Sequence, residues 1–180
     1  MIQIKTPSAL PGQLIIVSGQ TKYNSGGLPS EKYLPVLSTN ALDTIETINA
    51  GRSHQVMTYD ALGRVIRKTN PDGATYSTIE YDCWTTRTID ENGHKQESDY
   101  DAFGRLIEKR EYTGADGRFA SRYPVVNYAL YAMPRYSYDS EGALVRVIDT
   151  DGEITAITYD KLGQKTTVDD PDMGLWQYTY

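Results

Sequence analysis

Cysteine is almost missing from this chain: Cys83 is the only one in 180 residues. An intramolecular disulfide, a multi-thiol metal site and a dithiol redox pair are all excluded, and the redox compartment is left open. Histidine is nearly as scarce. His54 and His94 are the only two, and neither stands near a Ser-Asp or Cys arrangement of the kind a nucleophile–base pair requires. Long apolar runs are lacking as well. Leu14-Ile15-Ile16-Val17 is far too short to cross a bilayer, and Met1 to Pro7 lacks the basic start and apolar stretch of a leader, so neither a cleavable signal nor membrane insertion is expected. Charge of one sign never accumulates either. The 18 basic and 24 acidic residues give a net charge of −6 without a long block of either, which leaves no footprint for nucleic acid.

What the chain does have is tyrosine, 15 residues against two Phe and two Trp, in a composition only 39% hydrophobic. Tyrosine favours strands and half-wet surfaces. A length of 180 residues suffices for one domain with its own core.

The tyrosines are periodic. Tyr-Asp occurs at Tyr59-Asp60, Tyr81-Asp82, Tyr100-Asp101, Tyr138-Asp139 and Tyr159-Asp160, and Tyr180 is placed to begin a sixth copy. Successive tyrosines are 22, 19, 38, 21 and 21 residues apart. The interval of 38 is twice 19, which predicts a degenerate or decorated unit, placed at 112–137 and including the atypical stretch Pro124 to Tyr128. Four copies continue to a glycine, at Gly63, Gly104, Gly142 and Gly163, and the copy at Tyr81 lacks it. About ten residues later comes a second turn signal: Asn70 to Gly73, Asp90 to Gly93, Asp149 to Gly152 and Asp170 to Gly174. Its Asp-Gly and Asn-Gly pairs suit the positive φ angles of tight hairpin turns.

Between the turns the residues alternate. Ile79 and Tyr81 share one face, and Ile154, Ala156 and Thr158 alternate against Thr155, Ile157 and Tyr159. Each unit therefore reads as two short strands, and the whole as an all-β antiparallel meander of repeated β-hairpins. In the Tyr-Asp turn the carboxylate is expected to accept N–H groups two or three residues on, the glycine to adopt the left-handed conformation, and the tyrosine to pack against its counterpart in the next unit. Residues 1–56 read as a non-repeat segment with a few strands, and 57–180 as the repeats. Within the first segment, Leu14 to Val17 and Lys32 to Leu37 are strand candidates separated by a loop from Asn24 to Pro29, and Asn40 to Asn49 is the best short helical candidate.

The units Tyr59-Asp60-Ala61-Leu62-Gly63-Arg64-Val65 with Pro71-Asp72-Gly73, Tyr100-Asp101-Ala102-Phe103-Gly104-Arg105-Leu106, and the closing Asp170-Pro171-Asp172-Met173-Gly174-Leu175-Trp176 closely resemble the YD repeat of the Rhs (rearrangement hotspot) family. The resemblance covers roughly residues 57–180. The family includes bacterial polymorphic toxins, the cocoon-forming subunits of insecticidal toxin complexes, wall-associated proteins and the animal teneurins. It implies a curved, spiralling β-sheet shell, secreted or at the cell surface. In toxin members the shell is similar to a hollow container around a carboxy-terminal effector, followed by a segment that performs autoproteolysis; this sequence stops inside a repeat and shows no such segment. Twelve strands spaced about 4.8 Å apart would close to a diameter of roughly 18 Å, which leaves almost no cavity. The expectation is a wall segment of a larger shell.

Other chemistry is weighed against the same turns and strands. Cys83 beside Trp84 is expected in a strand as a small buried apolar group, and His94 on the surface beside a turn. Asp149-Thr150-Asp151-Gly152-Glu153 resembles the start of a calcium loop, but the downstream acid is missing and a turn explains the same residues. Asp169-Asp170 are adjacent acids in a turn, poorly placed to converge on a glycosidic bond. No catalytic, cofactor-binding or metal-binding residue and no cofactor is assigned, and the chain is not expected to be an enzyme. The expected partners are other segments of the same shell or a toxin cargo. An alternative is a carbohydrate-binding or adhesion module that stacks sugars on exposed Tyr, Trp84 and Trp176. Open sheet edges add a tendency to self-association.

Overall fold

The computed structural model of the chain describes residues 4–7, 15–39, 45, 47–48, 51–118 and 126–180. Every regular element among them is a β-strand. The helical candidate at Asn40 to Asn49, and the Pro124-Val125 half of the atypical stretch, fall mainly or wholly outside the described residues. The chain divides into two compact units, 1–79 and 80–180.

In the first unit, β1 (Ile4–Pro7), β2 (Ile15–Ser18) and β5 (Val36–Ser38) form a small antiparallel sheet in the order β1-β2-β5. Period-two alternation in β2 buries Ile15 and Val17. The remaining strands, β3 (Thr21–Tyr23), β4 (Pro29–Tyr33), β6 (His54–Tyr59), β7 (Val65–Thr69) and the first part of β8 (Tyr76–Asp82), pair antiparallel in the order β3-β4-β6-β7-β8. Tyr33 and Met57 are buried there.

One expectation needs correction here. Lys32 to Leu37 is not one strand. Its halves belong to β4 and β5, in different sheets, because the chain turns away at Leu34-Pro35, where proline offers no N–H to a ladder. β4 pairs directly with β6 (Glu31↔Val56, Lys32↔Gln55, Tyr33↔His54), so the large sheet begins upstream of the first Tyr-Asp.

The second unit runs from the end of β8 through β9 (Thr85–Ile89), β10 (Lys95–Tyr100), β11 (Leu106–Ala115), β12 (Val126–Ala132), β13 (Arg135–Tyr138), β14 (Leu144–Ile148), β15 (Ile154–Tyr159), β16 (Lys165–Asp170) and β17 (Gly174–Gln177). Successive strands are antiparallel neighbours, except that β12 leaves the main path and pairs with β11. Among the described residues twelve strands, β6 to β17, follow from His54 on, the off-path β12 included, and β3 and β4 bring the antiparallel sheet to 14. The 38-residue interval is explained by a decoration. β11 is ten residues long; its near part pairs with β13 (Glu108↔Arg135), and its far part with β12 (Glu111↔Ala132 to Ala115↔Val126). No additional Tyr-Asp turn is needed.

The copy without glycine turns differently. Cys83 takes φ 49°, the one positive φ of a non-glycine among the described residues, and it is exposed in the turn between β8 and β9. The expected buried strand position is therefore wrong. Loss of the glycine shortens the connection, and a residue at this point must then enter the left-handed region. Cys83→Gly is expected to relieve that strain, net of the entropy glycine loses on folding, by about 0.5–1 kcal/mol and to raise the melting temperature by about 2 °C. Circular dichroism melting checks this, and an unchanged or lower midpoint refutes it.

Candidate functional site

The side chains that recur in the sequence act on the turns. In Asp60 to Arg64 the Asp60 carboxylate accepts the N–H groups of Leu62 and Arg64, both at 2.9 Å, while Gly63 N–H donates to Asp60 C=O at 3.0 Å and Asp60 N–H to Arg64 C=O at 2.9 Å. Asp101 repeats this with Phe103 and Arg105, Asp139 with Glu141 and Ala143, and Asp160 with Leu162 and Gln164. The carboxylate thus reaches two and four residues on. Backbone bonds to the turn hold Asp60 below the usual carboxylate range, led by the one from Arg64.

The second turn series is not a different device. Asp90 takes the N–H groups of Asn92 and His94, and Asp149 those of Asp151 and Glu153, with the same Gly-to-Asp bond closing each turn. The glycine has the expected positive φ, 90° at Gly93 and 94° at Gly152, and ends a type I turn in the left-handed conformation. In these two turns the decisive acid stands three residues before the glycine; at Asn70 to Gly73 it is Asp72, next to the glycine, that accepts the N–H groups of Ala74 and Thr75, both at 2.9 Å, and at Asp170 to Gly174 Asp170 accepts those of Asp172 and Met173. Upstream, Asn24 accepts from Gly26 and Leu28 at 3.0 and 2.9 Å and is closed by Gly27, φ 76°. Tyr23-Asn24 is therefore a turn of the same geometry, with amide in place of acid.

In three units the tyrosine hydroxyl reaches back to the preceding turn of the same kind. Tyr59 donates to Pro29 C=O at 2.6 Å, Tyr138 to Leu106 at 2.8 Å and Tyr159 to Leu144 at 3.0 Å. Each acceptor lies two residues after a turn glycine, Gly27, Gly104 or Gly142. The rings are half-buried, with one end against the sheet and the phenol bound. Arg105 adds a second tie: it pairs with Asp101 at 2.7 Å and lies 5.1 Å from the Phe103 ring and 4.8 Å from that of Tyr138. A groove of about 450 Å³ between these two turns is lined by Phe103, Arg105 and Asp139 to Gly142. Its one cation is committed to Asp101 and the two rings.

The β11–β12 ribbon packs on the turn at Asp90 to Gly93. Tyr128 donates to Gly93 C=O at 2.7 Å, Asp116 N–H to the same carbonyl at 3.2 Å, and the Lys95 ammonium lies 3.6 Å from the Tyr112 ring and 5.0 Å from that of Tyr128. A Cβ at Gly93 would lie 2.5 Å from Asp116 Oδ1, and one at Gly114 2.6 Å from Asn127 C=O, so both positions need glycine.

Next to the ribbon is an ionic ladder that spacing alone did not disclose. Arg87, Glu97 and Arg110 stand directly opposite one another on β9, β10 and β11. Glu97 is buried, and it accepts from Arg87 at 2.8 Å, Arg110 at 3.1 Å and Tyr112 at 2.8 Å, with Lys95 at 3.5 Å. On the next rung Arg110 also bonds Asp99 at 2.8 Å and Glu108 at 2.6 Å, and Arg135 bonds Glu108 at 3.0 Å. Arg87 also bonds Glu80 at 2.8 Å, so four acids and four bases meet in the ladder. Burial pushes the Glu97 carboxyl up, but the bonds from Arg87 and Tyr112 and the charge of Lys95 outweigh it and bring the group down to about 2.

Comparison with known proteins agrees with this geometry. Residues 138–172, the units at Tyr138 and Tyr159, match the family model of the RHS repeat. The chain carries the Rhs repeat. Solved structures share the fold of the Rhs-repeat sheet: TcdB2-TccC3-Cdc42 at TM-score 0.67 and 20% identity over 90% of this chain, and TcdB2-TccC3 at 0.57 and 17% over 93%. TcdB2-TccC3 without its hypervariable C-terminal region aligns at 0.58 and 17% over 93%. This chain spans about a tenth of their length, 9% to 10%. No curated protein sequence matches.

Within the Rhs-repeat sheet the remaining candidates take local roles. His54 stacks on Tyr33 with centroids 4.8 Å apart, and its Nδ1 faces Arg52 C=O at 2.8 Å. His94 flanks its turn as expected, with Nδ1 at 3.1 Å from Asp90. Asp149 caps a turn, Asp170 accepts from Asp172, Met173 and Thr155, and no group of three or more metal-ligating side chains forms among the described residues. Trp84 and Trp176 are exposed, and so is Tyr131 on β12.

Because the Glu97 pKa is depressed from 4.5 to about 2, its contribution is fully present above pH 4.5 and is lost as pH falls towards 2. Glu97→Gln should therefore cost about 2 kcal/mol near neutrality. The gap from the unsubstituted chain should close on acidification, as read by denaturant titration at several pH values. A cost independent of pH would show that the charge of Glu97 is not what stabilises the ladder.

Proposed function

We propose that the chain is a non-catalytic wall segment of an Rhs-type β-shell, which together with further segments encloses an effector or presents a surface outside the cell. One observation carries this reading: the recurring side chains are spent on architecture. Each repeat aspartate in the Asp60-type turns holds two main-chain N–H groups, and the tyrosine hydroxyls of three units hold carbonyls of a preceding turn. Buried apolar residues support the same role, since only Ile15, Val17, Tyr33, Met57 and Ala115 qualify among the described residues. A sheet with so little covered surface suits a wall better than a free-standing globule. As a segment of such a shell the chain would lie outside the cytoplasm, against neighbouring wall segments and cargo.

The glycan-binding alternative rests on the exposed rings of Trp84, Tyr131 and Trp176. They lie on a turn, a ribbon and an edge strand, and the repeat tyrosines that would have joined them have bound hydroxyls. Tyr138→Phe and Tyr159→Phe separate the readings. As architecture, each costs about 1 kcal/mol, visible as a lower melting temperature. Variants that melt like the unsubstituted chain while losing retention on immobilised glycans would overturn the wall reading.

A further inference from the structure

We propose that Asn92 is a modification site gated by the β11–β12 ribbon: while the ribbon is docked the side-chain amide persists, and when the ribbon lifts the Gly93 nitrogen displaces that amide as ammonia. Asn92-Gly93 is the one Asn-Gly pair in the sequence. Glycine, without a Cβ, leaves its nitrogen open to attack the preceding side chain and turns easily about its own bonds. Asn92 N–H is held by the Asp90 carboxylate at 2.9 Å, but its side-chain amide has no hydrogen-bond partner among the described residues. What restrains the pair is therefore Gly93. Its N–H donates to Asp90 C=O at 3.1 Å, and its C=O accepts from the Tyr128 hydroxyl at 2.7 Å and from Asp116 N–H at 3.2 Å. It is buried, and an added Cβ would meet Asp116 Oδ1 at 2.5 Å. At Gly104, Gly142, Gly152 and Gly163 the same added atom meets nothing within 4 Å. The turn alone does not confine its glycine in this way; the ribbon does.

The reaction needs water as its only co-reactant. The Gly93 nitrogen bonds to Asn92 Cγ, the Cγ–Nδ2 bond breaks, and ammonia leaves with the proton that the nitrogen gives up, which closes a five-membered succinimide. Water then opens the ring at one of its two C–N bonds. One opening leaves aspartate; the other leaves isoaspartate, in which the main chain runs through the side-chain carbon. For the ring to close, the peptide plane between Asn92 and Gly93 must rotate until its nitrogen faces Cγ, and that rotation carries Gly93 away from Tyr128 and Asp116. The product also acts back on the ribbon. Isoaspartate lengthens the main chain by one carbon and displaces Gly93 by about 1.5 Å, more than the bonds from Tyr128 and Asp116 tolerate. A chain that has become isoaspartate at this position does not re-dock its ribbon, so one opening becomes permanent. The gate involves this turn and the ribbon alone and holds whether or not the chain lines a larger shell.

The test incubates the whole chain in mildly alkaline buffer, well below its melting temperature, and follows Asn92 by peptide mass spectrometry, with isoaspartate detected by an isoaspartyl methyltransferase. The same chain unfolded in urea gives the ungated rate. In the folded chain Asn92 should be modified at least roughly tenfold more slowly, because reaction waits for a local opening. Tyr128→Phe removes one bond to Gly93 and leaves the Asp90 turn intact, so it should quicken modification about fivefold. Tyr138→Phe, which loosens a different turn, should leave the rate in place. In the isoaspartate form the Asp116 N–H should exchange with solvent faster than in the unmodified chain. Equal rates in the folded and unfolded chain overturn the proposal. So do a Tyr128→Phe rate no higher than that of the unsubstituted chain, an equal acceleration by Tyr138→Phe, and an isoaspartate form whose Asp116 N–H exchanges as before.

Discussion

An aspartate carboxylate that takes two main-chain N–H groups of its own turn is the interaction on which the rest of this sheet depends. With its oxygen on the residues two and four positions on, Asp60 leaves the chain one way to reverse, and the glycine that follows supplies the left-handed residue this reversal demands. The register of the next strand is then set before any distant contact forms. Asp101, Asp139 and Asp160 do the same, and so do Asp90 and Asp149 in the second turn series. The same device thus serves turns of both series, while Asp72 and Asp170 cap theirs by variants of it. That is how a chain with few buried apolar residues holds a long antiparallel meander together.

The second layer of order comes from groups that connect one hairpin to the next. A tyrosine hydroxyl bound to a carbonyl beyond the preceding turn ties repeat to repeat without a thick core, and the half-buried ring covers the sheet between them. Where the sheet is decorated, this pattern is replaced by something heavier. The β11–β12 ribbon sits on the Asp90 turn through Tyr128, Asp116 and the Lys95 ammonium between two tyrosine rings, and the charges beside it cancel across three strands. Ion pairs with extra hydrogen bonds do here what apolar burial does in a closed core, at the cost of dependence on a carboxylate staying charged.

Much of this was legible in the residues. The Tyr-Asp period, the glycine and the alternation between turns led to an all-β antiparallel meander, and the described residues form one. The misreadings cluster where a signal is local and its meaning is not. Asp-Gly and Asn-Gly pairs mark the tight turns, but which residue caps them varies: Asp90 and Asp149 stand three residues before the glycine, and Asp72 stands next to it. Asn24 was passed over because it is not an aspartate, although its amide oxygen accepts the same two N–H groups. The interval of 38 residues pointed to a degenerate or decorated unit, and a lengthened β11 with β12 paired to it accounts for the length. Cys83 was expected in a strand, and the absence of glycine put it in a turn instead.

The sequence by itself determined the turns, because every bond that closes them runs between residues at most five apart, and such bonds follow from residue type and spacing alone. Only the tertiary structure decided which carbonyl each tyrosine reaches, 15 to 32 residues back in the chain, and that Glu97 is enclosed by Arg87 and Arg110. It also decided that Lys32 to Leu37 divides between two sheets. Those outcomes depend on which strands become neighbours and in what register, and two strands can pair only after the chain between them has folded. A repeat therefore declares its hairpins in the residues, while what joins one hairpin to another appears only when they are side by side.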